Sequence, residues 1–217
     1  MRTFFTTTIF IAAAFIAAAP AARAADLDIL GLRLGMAVDD GAIESIYEGP
    51  LKPQIAESGT MNVPYSAIHT RLKDGTLMYL YFAPAIENKK LFAVVHIKRY
   101  GSERQPSSLT VEAVIKGMER QLGKPVLSLE PTSTMRLLIY LAAGSAPVDA
   151  NLTPESVRDI MFIDFPSRVR LLGTDFKGAI VMISHDKGKV QSIRQELWDH
   201  RLATTVFAVP DAPAAAR

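Results

Sequence analysis

The chain has 217 residues, of which 49% are hydrophobic and 21% charged, and it contains no cysteine. These proportions exclude a collagen-like, low-complexity or disulfide-stapled chain, and 8% aromatics with 13 Gly and 13 Pro exclude one that is disordered throughout or polytopic in a membrane. The length suits one compact domain or two small ones.

Met1-Arg2-Thr3 is a short basic start, and Phe4 to Ala19 is apolar apart from Thr6-Thr7-Thr8. Pro20 follows, then Ala22-Arg23-Ala24, the small-x-small pattern that signal peptidases cut. The pattern predicts a signal peptide over residues 1–24, cleavage after Ala24 and a periplasmic mature chain starting at Ala25. The apolar run is shorter than the ~20 residues of a membrane span. With no cysteine to carry a lipid, the mature chain is expected to be soluble, with no stable membrane anchor. Cleavage removes two arginines and no acid, so 24 basic residues become 22 against 22 acidic ones. A net charge near zero gives no general grip on nucleic acid or anionic lipid. Without cysteine in an oxidising compartment, a hydrophobic core must hold the fold.

Leu27 to Met36 reads as a short extended segment with apolar alternation, and Asp39 as the N-cap of a helix with Ile43, Ile46 and Tyr47 on one face. Gly49-Pro50 stops it. Tyr65 to Lys73 and Thr76 to Phe82 flank Asp74-Gly75, a strong hairpin signal, and Leu91 to Tyr100 reads as a third strand. Val111 to Leu122 is the clearest helix, with Val111, Val114, Ile115, Met118 and Leu122 on one face, Thr110 or Ser108 as cap, and Gly123 with Pro125 ending it. Met135 to Ala142 reads as a buried strand, Gly144 to Asn151 as a loop, and Thr153-Pro154-Glu155-Ser156 as a helix start. Phe176 to His185 and Val190 to Trp198 form a second hairpin around Asp186-Lys187-Gly188-Lys189. Leu202 to Val209 fits helix or strand, and 210–217 is expected to be a frayed tail.

Each half begins with a helix and continues into antiparallel strands. The expected fold class is α+β: two helix-then-antiparallel-strand modules, with the helices packed on one face of a mainly antiparallel sheet. Residues 25–209 are expected to form one compact domain, divisible into halves 25–105 and 106–209.

Gly31-Leu32-Arg33-Leu34-Gly35-Met36 before a helix, and Gly117-Met118 running into Leu122-Gly123-Lys124-Pro125, carry a resemblance. The pattern is similar to uncharacterised exported proteobacterial proteins with a Gly-Leu-x-Leu-Gly-Met motif. More distantly it resembles the SmpA/OmlA (BamE-like) assembly lipoproteins of the outer membrane and the β-lactamase-inhibitor-like modules. It covers two short stretches in different halves, and the chain departs from the lipoprotein pattern by lacking its cysteine. The resemblance implies small α-β modules that bind other proteins without doing chemistry. The residues alone have a simpler reading, in which glycines allow a tight turn into the helix and Gly-x-Pro ends one.

The chemistry-bearing residues form no constellation. Ser184-His185-Asp186 has the letters of a triad, but consecutive strand residues point to opposite faces. His69, His96, His185 and His200 lie on or near expected strands without zinc-ligand spacing, so no metal site is expected. Asp39-Asp40 reads as helix cap and first-turn charge, and Asp164 and Asp175 as turn residues. No phosphate-cradling loop occurs, and neither a catalytic residue nor a cofactor is expected.

A two-residue Asp74-Gly75 loop would pair Lys73 with Thr76, Arg71 with Met78 and His69 with Leu80. Ile68, Thr70, Leu72, Leu77, Tyr79 and Tyr81 would then face the core. His69, Arg71, Met78 and Leu80 would form an outer, partner-binding surface, unless a helix covers it. The expected function is therefore a non-enzymatic binding or adaptor module acting on another periplasmic or outer-membrane protein, with no nucleic acid as partner. The alternative is a periplasmic hydrolase whose catalytic residues are dispersed along the chain.

Overall fold

The computed structural model describes residues 27–44, 54–56, 65–72, 74–83, 89–101, 105, 107–149, 151–162 and 165–207. The expected signal peptide and cleavage site, the expected continuation of the first helix beyond Glu44, position 164 and the expected tail over 210–217 lie outside the described residues, as does the side chain of His69.

After a short helix α1 (Gly41–Glu44) come four strands, β1 (Gln54–Ala56), β2 (Tyr65–Arg71), β3 (Leu77–Phe82) and β4 (Leu91–Arg99). The second half runs α2 (Val111–Leu122), β5 (Leu127–Thr132), β6 (Met135–Leu141), α3 (Pro154–Phe162), α4 (Phe165–Leu172), β7 (Lys177–Asp186), β8 (Lys189–Asp199) and α5 (His200–Ala203). The strands form one eight-stranded sheet in the order β1-β2-β3-β4-β8-β7-β6-β5, antiparallel at every pairing. Each half thus supplies a four-strand meander, and the last strands of the two, β4 and β8, join them. The fold is α+β on a mainly antiparallel sheet, as the sequence predicts.

The local chemistry explains most boundaries. Thr110 caps α2, its hydroxyl accepting from the Ala113 amide at 3.2 Å, and Gly123 ends the helix at φ +82°. Thr153 and Ser156 cap α3 reciprocally, each side-chain oxygen accepting from the other's amide at 3.2 and 3.0 Å. At α1 the cap is Asp40, not Asp39, because Asp40 Oδ1 accepts from the Ala42 amide at 2.9 Å. β5 is an edge strand that alternates over Leu127, Ser128, Leu129 and Glu130, then breaks register between Leu129 and Thr132 around Pro131. Proline is tolerated there because its missing donor is not needed on an edge or at a bulge. Of the stretch from Leu202 to Val209, read as helix or strand, only Leu202 and Ala203 are helical, at the end of the short helix α5 capped by Asp199; residues 204–206 turn, and 208–209 lie outside the described residues.

The core is double. One buried cluster joins Leu27, Ile29, Leu32 and Ile43 to Val111, Val114 and Leu122 of α2, over Met78, Leu80, Val94, Leu138, Val181 and Leu197 of the sheet. The other joins Val157, Phe165, Val169, Leu172, Ala203 and Val206 to Val95, Leu137, Ile139, Ile180 and Trp198. The single helical layer expected from the sequence is corrected here: α1 and α2 feed one cluster, and α3, α4 and α5 feed the other. The reason lies in the central strands, whose adjacent residues are apolar on both faces. Val94 and Val95, and Ile180 and Val181, enter opposite clusters, and each face needs its own cover.

Candidate functional site

The four residues expected to form a partner surface do not share a face. Leu72 donates to the Thr76 carbonyl at 2.8 Å and Gly75 to the Leu72 carbonyl at 2.9 Å, so the loop is residues 73–75, with Gly75 left-handed at φ +81°. A three-residue loop of this kind shifts the register by one. Arg71 therefore pairs with Leu77, Thr70 with Met78, His69 with Tyr79 and Ile68 with Leu80. Met78 and Leu80 are fully buried in the cluster that also holds Ile43 and α2, whereas Arg71 is exposed on the opposite face. The outer surface drawn from the shorter loop is corrected accordingly. Asp74 locks the turn instead: its Oδ1 accepts from the Thr76 amide at 3.0 Å and its Oδ2 pairs with Lys98 Nζ at 2.6 Å. The Lys98 hydrogen bond, then those from Thr76, hold this carboxyl well below the usual carboxylate range.

The histidines stay apart in role. His96 on β4 stands between Met78 and Gln195 in the sheet, and burial lowers its pKa. His185 follows a register irregularity on β7, and His200 begins α5 in the second cluster's aromatic centre. Among the described residues, no three His, Asp or Glu side chains gather as metal ligands.

A buried ionic centre was not legible as such in the sequence. Arg168 of α4 meets the Glu196 carboxylate of β8 through both terminal guanidinium nitrogens, and Arg194 Nε lies 2.5 Å from Glu196 Oε1. Trp198 Nε1 donates to Glu196 Oε2 at 2.5 Å, and the Arg168 guanidinium lies over the Trp198 ring, 5.3 Å from its centroid. Arg194, Glu196 and Trp198 alternate along one face of β8. Arg168 shares an inward helix face with Phe165, Val169 and Leu172. A charge in each apolar pattern was the available signal. Glu196 is 0% and Arg168 5% exposed, so this pair is closed to solvent and pins α4 to the sheet.

An accessible site lies in the N-terminal segment. Ile29 and Leu32 exchange hydrogen bonds of 3.1 and 3.0 Å around Leu30-Gly31, whose φ values are +54° and +81°. This is a two-residue turn with both central residues left-handed, the geometry that favours Asn-Gly. Asp28 Oδ1 supports it by accepting from the Gly31 amide at 3.1 Å. Leu27, Ile29 and Leu32 are buried, and Leu30 alone projects outward, 56% exposed. The same segment forms one wall of a cleft of about 170 Å³ lined by Leu27, Arg33, Leu34, Ala142, Ala143 and Lys177. The opposite wall is the exit of β6 and the start of β7, held together by the Ala142 amide donating to the Lys177 carbonyl at 2.9 Å.

Comparison with known proteins gives no match: no family model, no curated protein and no solved structure aligns significantly with the chain.

Proposed function

We propose that the protein is a non-enzymatic binding module, exported to the periplasm, that docks on another envelope protein through the Asp28–Leu32 turn. One observation carries this reading: Leu30 occupies a left-handed backbone position and exposes most of its side chain to water. A left-handed conformation costs a residue with a Cβ roughly 1–2 kcal/mol, and a leucine gains nothing from solvent that Asn would not. Neither the fold nor solubility explains leucine at that tip. A pocket on a partner that takes the side chain does, since local strain and exposed apolar anchors concentrate at binding sites. The resemblance to exported α-β binding modules agrees in kind.

The test compares wild type with Leu30→Asn and with Val126→Asn, a control at a second exposed apolar position. The three proteins, expressed with the signal segment, are crosslinked in the periplasm and their partners quantified. Leu30→Asn should match or exceed wild-type stability by up to about 1 kcal/mol and lose the specific crosslink. Val126→Asn should keep it. Equal crosslinking by wild type and Leu30→Asn overturns the reading, and so does a mature protein that begins at Met1 in the membrane fraction.

A further inference from the structure

We propose that the cleft beside this turn binds an aliphatic carboxylate, its alkyl part against Leu27, Leu34, Ala142 and Ala143 and its charge between Arg33 and Lys177. The proposal rests on the binding-module reading and names the chemistry that the partner presents. At about 170 Å³ the cleft is smaller than a drug-sized pocket, roughly 300–1,000 Å³, so it fits one side chain and its attached group. Its lining is divided between apolar side chains and two cations that arrive from distant parts of the sequence. That is the complement of a branched alkyl chain ending in a carboxylate, such as the terminus of a protein chain.

Lys177 is the discriminating charge, because Arg33 is already engaged in an interaction of its own. The acid beside Lys177 is Asp199, and it is shared. Asp199 Oδ1 accepts from the Leu202 amide at 3.0 Å as the cap of α5, leaving Oδ2 at 3.9 Å from Lys177 Nζ. A carboxylate in the cleft can approach at the 2.7–2.9 Å typical of charge-assisted hydrogen bonds without disturbing that cap. The space exists because Ala142 and Ala143 are small. Ala143 is exposed, so a larger residue there fills the cleft at little cost to the core.

The experiment follows backbone amide shifts of the full mature protein on titration with N-acetyl-alanyl-leucine, its C-terminal amide and isocaproate. The free-acid dipeptide should shift Arg33, Leu34, Ala142 and Lys177, and the amide should bind at least roughly tenfold more weakly, the loss of one charge-assisted contact. Lys177→Gln should weaken the acid several-fold, and Ala143→Leu should abolish its binding with the rest of the spectrum unchanged. Isocaproate binding as tightly as the dipeptide identifies a free acid, not a chain terminus, as the source of the same carboxylate. Equal binding of acid and amide, insensitivity to Lys177→Gln, or no shift at about 10 mM, beyond the weak millimolar range, overturns the proposal. Loss of crosslinking in Leu30→Asn alongside any of those results leaves the binding-module reading standing and removes only the carboxylate.

Discussion

Arg168 on α4 and Glu196 on β8 form a two-pronged ion pair with both residues sealed from solvent, the second prong at 3.4 Å. Burial alone would raise the Glu196 pKa. The Arg168 and Arg194 charges, with hydrogen bonds from Arg168 and Trp198, outweigh it and hold the carboxyl below its ordinary range. Removing one partner strands a buried charge, which costs about 3–5 kcal/mol, whereas replacing both with apolar residues of similar volume is often neutral. Glu196→Gln should therefore destabilise the protein strongly in urea denaturation. The double variant Arg168→Met, Glu196→Met should recover most of the loss, because Arg194 is 38% exposed and can turn to water. Equal midpoints for single and double variants would show that the pair does not hold α4.

His200 makes stability depend on pH. Its Nδ1 contacts the Gly173 carbonyl at 2.8 Å, its Nε2 is buried without a partner among the described residues, and the Phe165 and Phe176 rings pack on it at 5.2 and 4.8 Å. Burial lowers its pKa from 6.5 to about 4, with Arg168 adding to the lowering and the Gly173 contact and Glu196 opposing it. Above pH 6.5 the ring is neutral in both folded and unfolded chains. Below it the unfolded chain binds the proton first, so stability falls until the folded ring also titrates near pH 4, a loss of about 3 kcal/mol. Glu196, whose pKa is also depressed, adds to the loss at the acidic end of that window. Unfolding free energy measured from pH 8 to 4 should drop in wild type and drop much less in His200→Phe. A slope unchanged by the substitution would assign the effect elsewhere.

The first hairpin's register is checked by two substitutions on opposite faces. Met78→Ser should cost about 3 kcal/mol, since the side chain is fully buried, while Arg71→Glu should stay within about 0.5 kcal/mol. Thermal denaturation of both variants decides it. If Met78→Ser is as stable as wild type, the two-residue loop and its outer surface would be the better description.

Two glycines should respond with opposite signs. A Cβ on Gly178 would lie 2.2 Å from the Tyr140 carbonyl oxygen across the β6–β7 pairing, and that oxygen belongs to strand backbone that cannot step aside. Gly178→Ala should cost on the order of 3 kcal/mol. Gly117, in the middle of α2, has open space around its Cβ position, so Gly117→Ala should stabilise by up to about 1 kcal/mol. Urea midpoints shifting the same way for both variants would contradict this placement.

What the sequence determined by itself was local. Thr110 and Gly123 bound a helix whose apolar spacing is unmistakable, and that helix runs from Val111 to Leu122 as expected. Asp186 to Lys189 turn in two residues, with Lys187 and Gly188 both left-handed, because a tight turn of that hand matches the twist of the strands it joins. Such elements are set by neighbours within a few residues, where caps, turns and periodicity act. The candidate site was not visible: Leu27 to Met36 reads as one extended segment, whereas the chain turns back at Leu30-Gly31, and nothing in the letters showed that Leu30 would be left outside while Leu27, Ile29 and Leu32 went in. Tertiary structure decided the rest. One residue of loop length moved Met78 and Leu80 from surface to core, because side chains alternate with period two and the loop length sets the register. It also paired Arg168 with Glu196 across 28 residues and brought Lys177 to the wall opposite Arg33. Contacts between distant segments depend on how the two meanders join at β4 and β8, which no local pattern encodes.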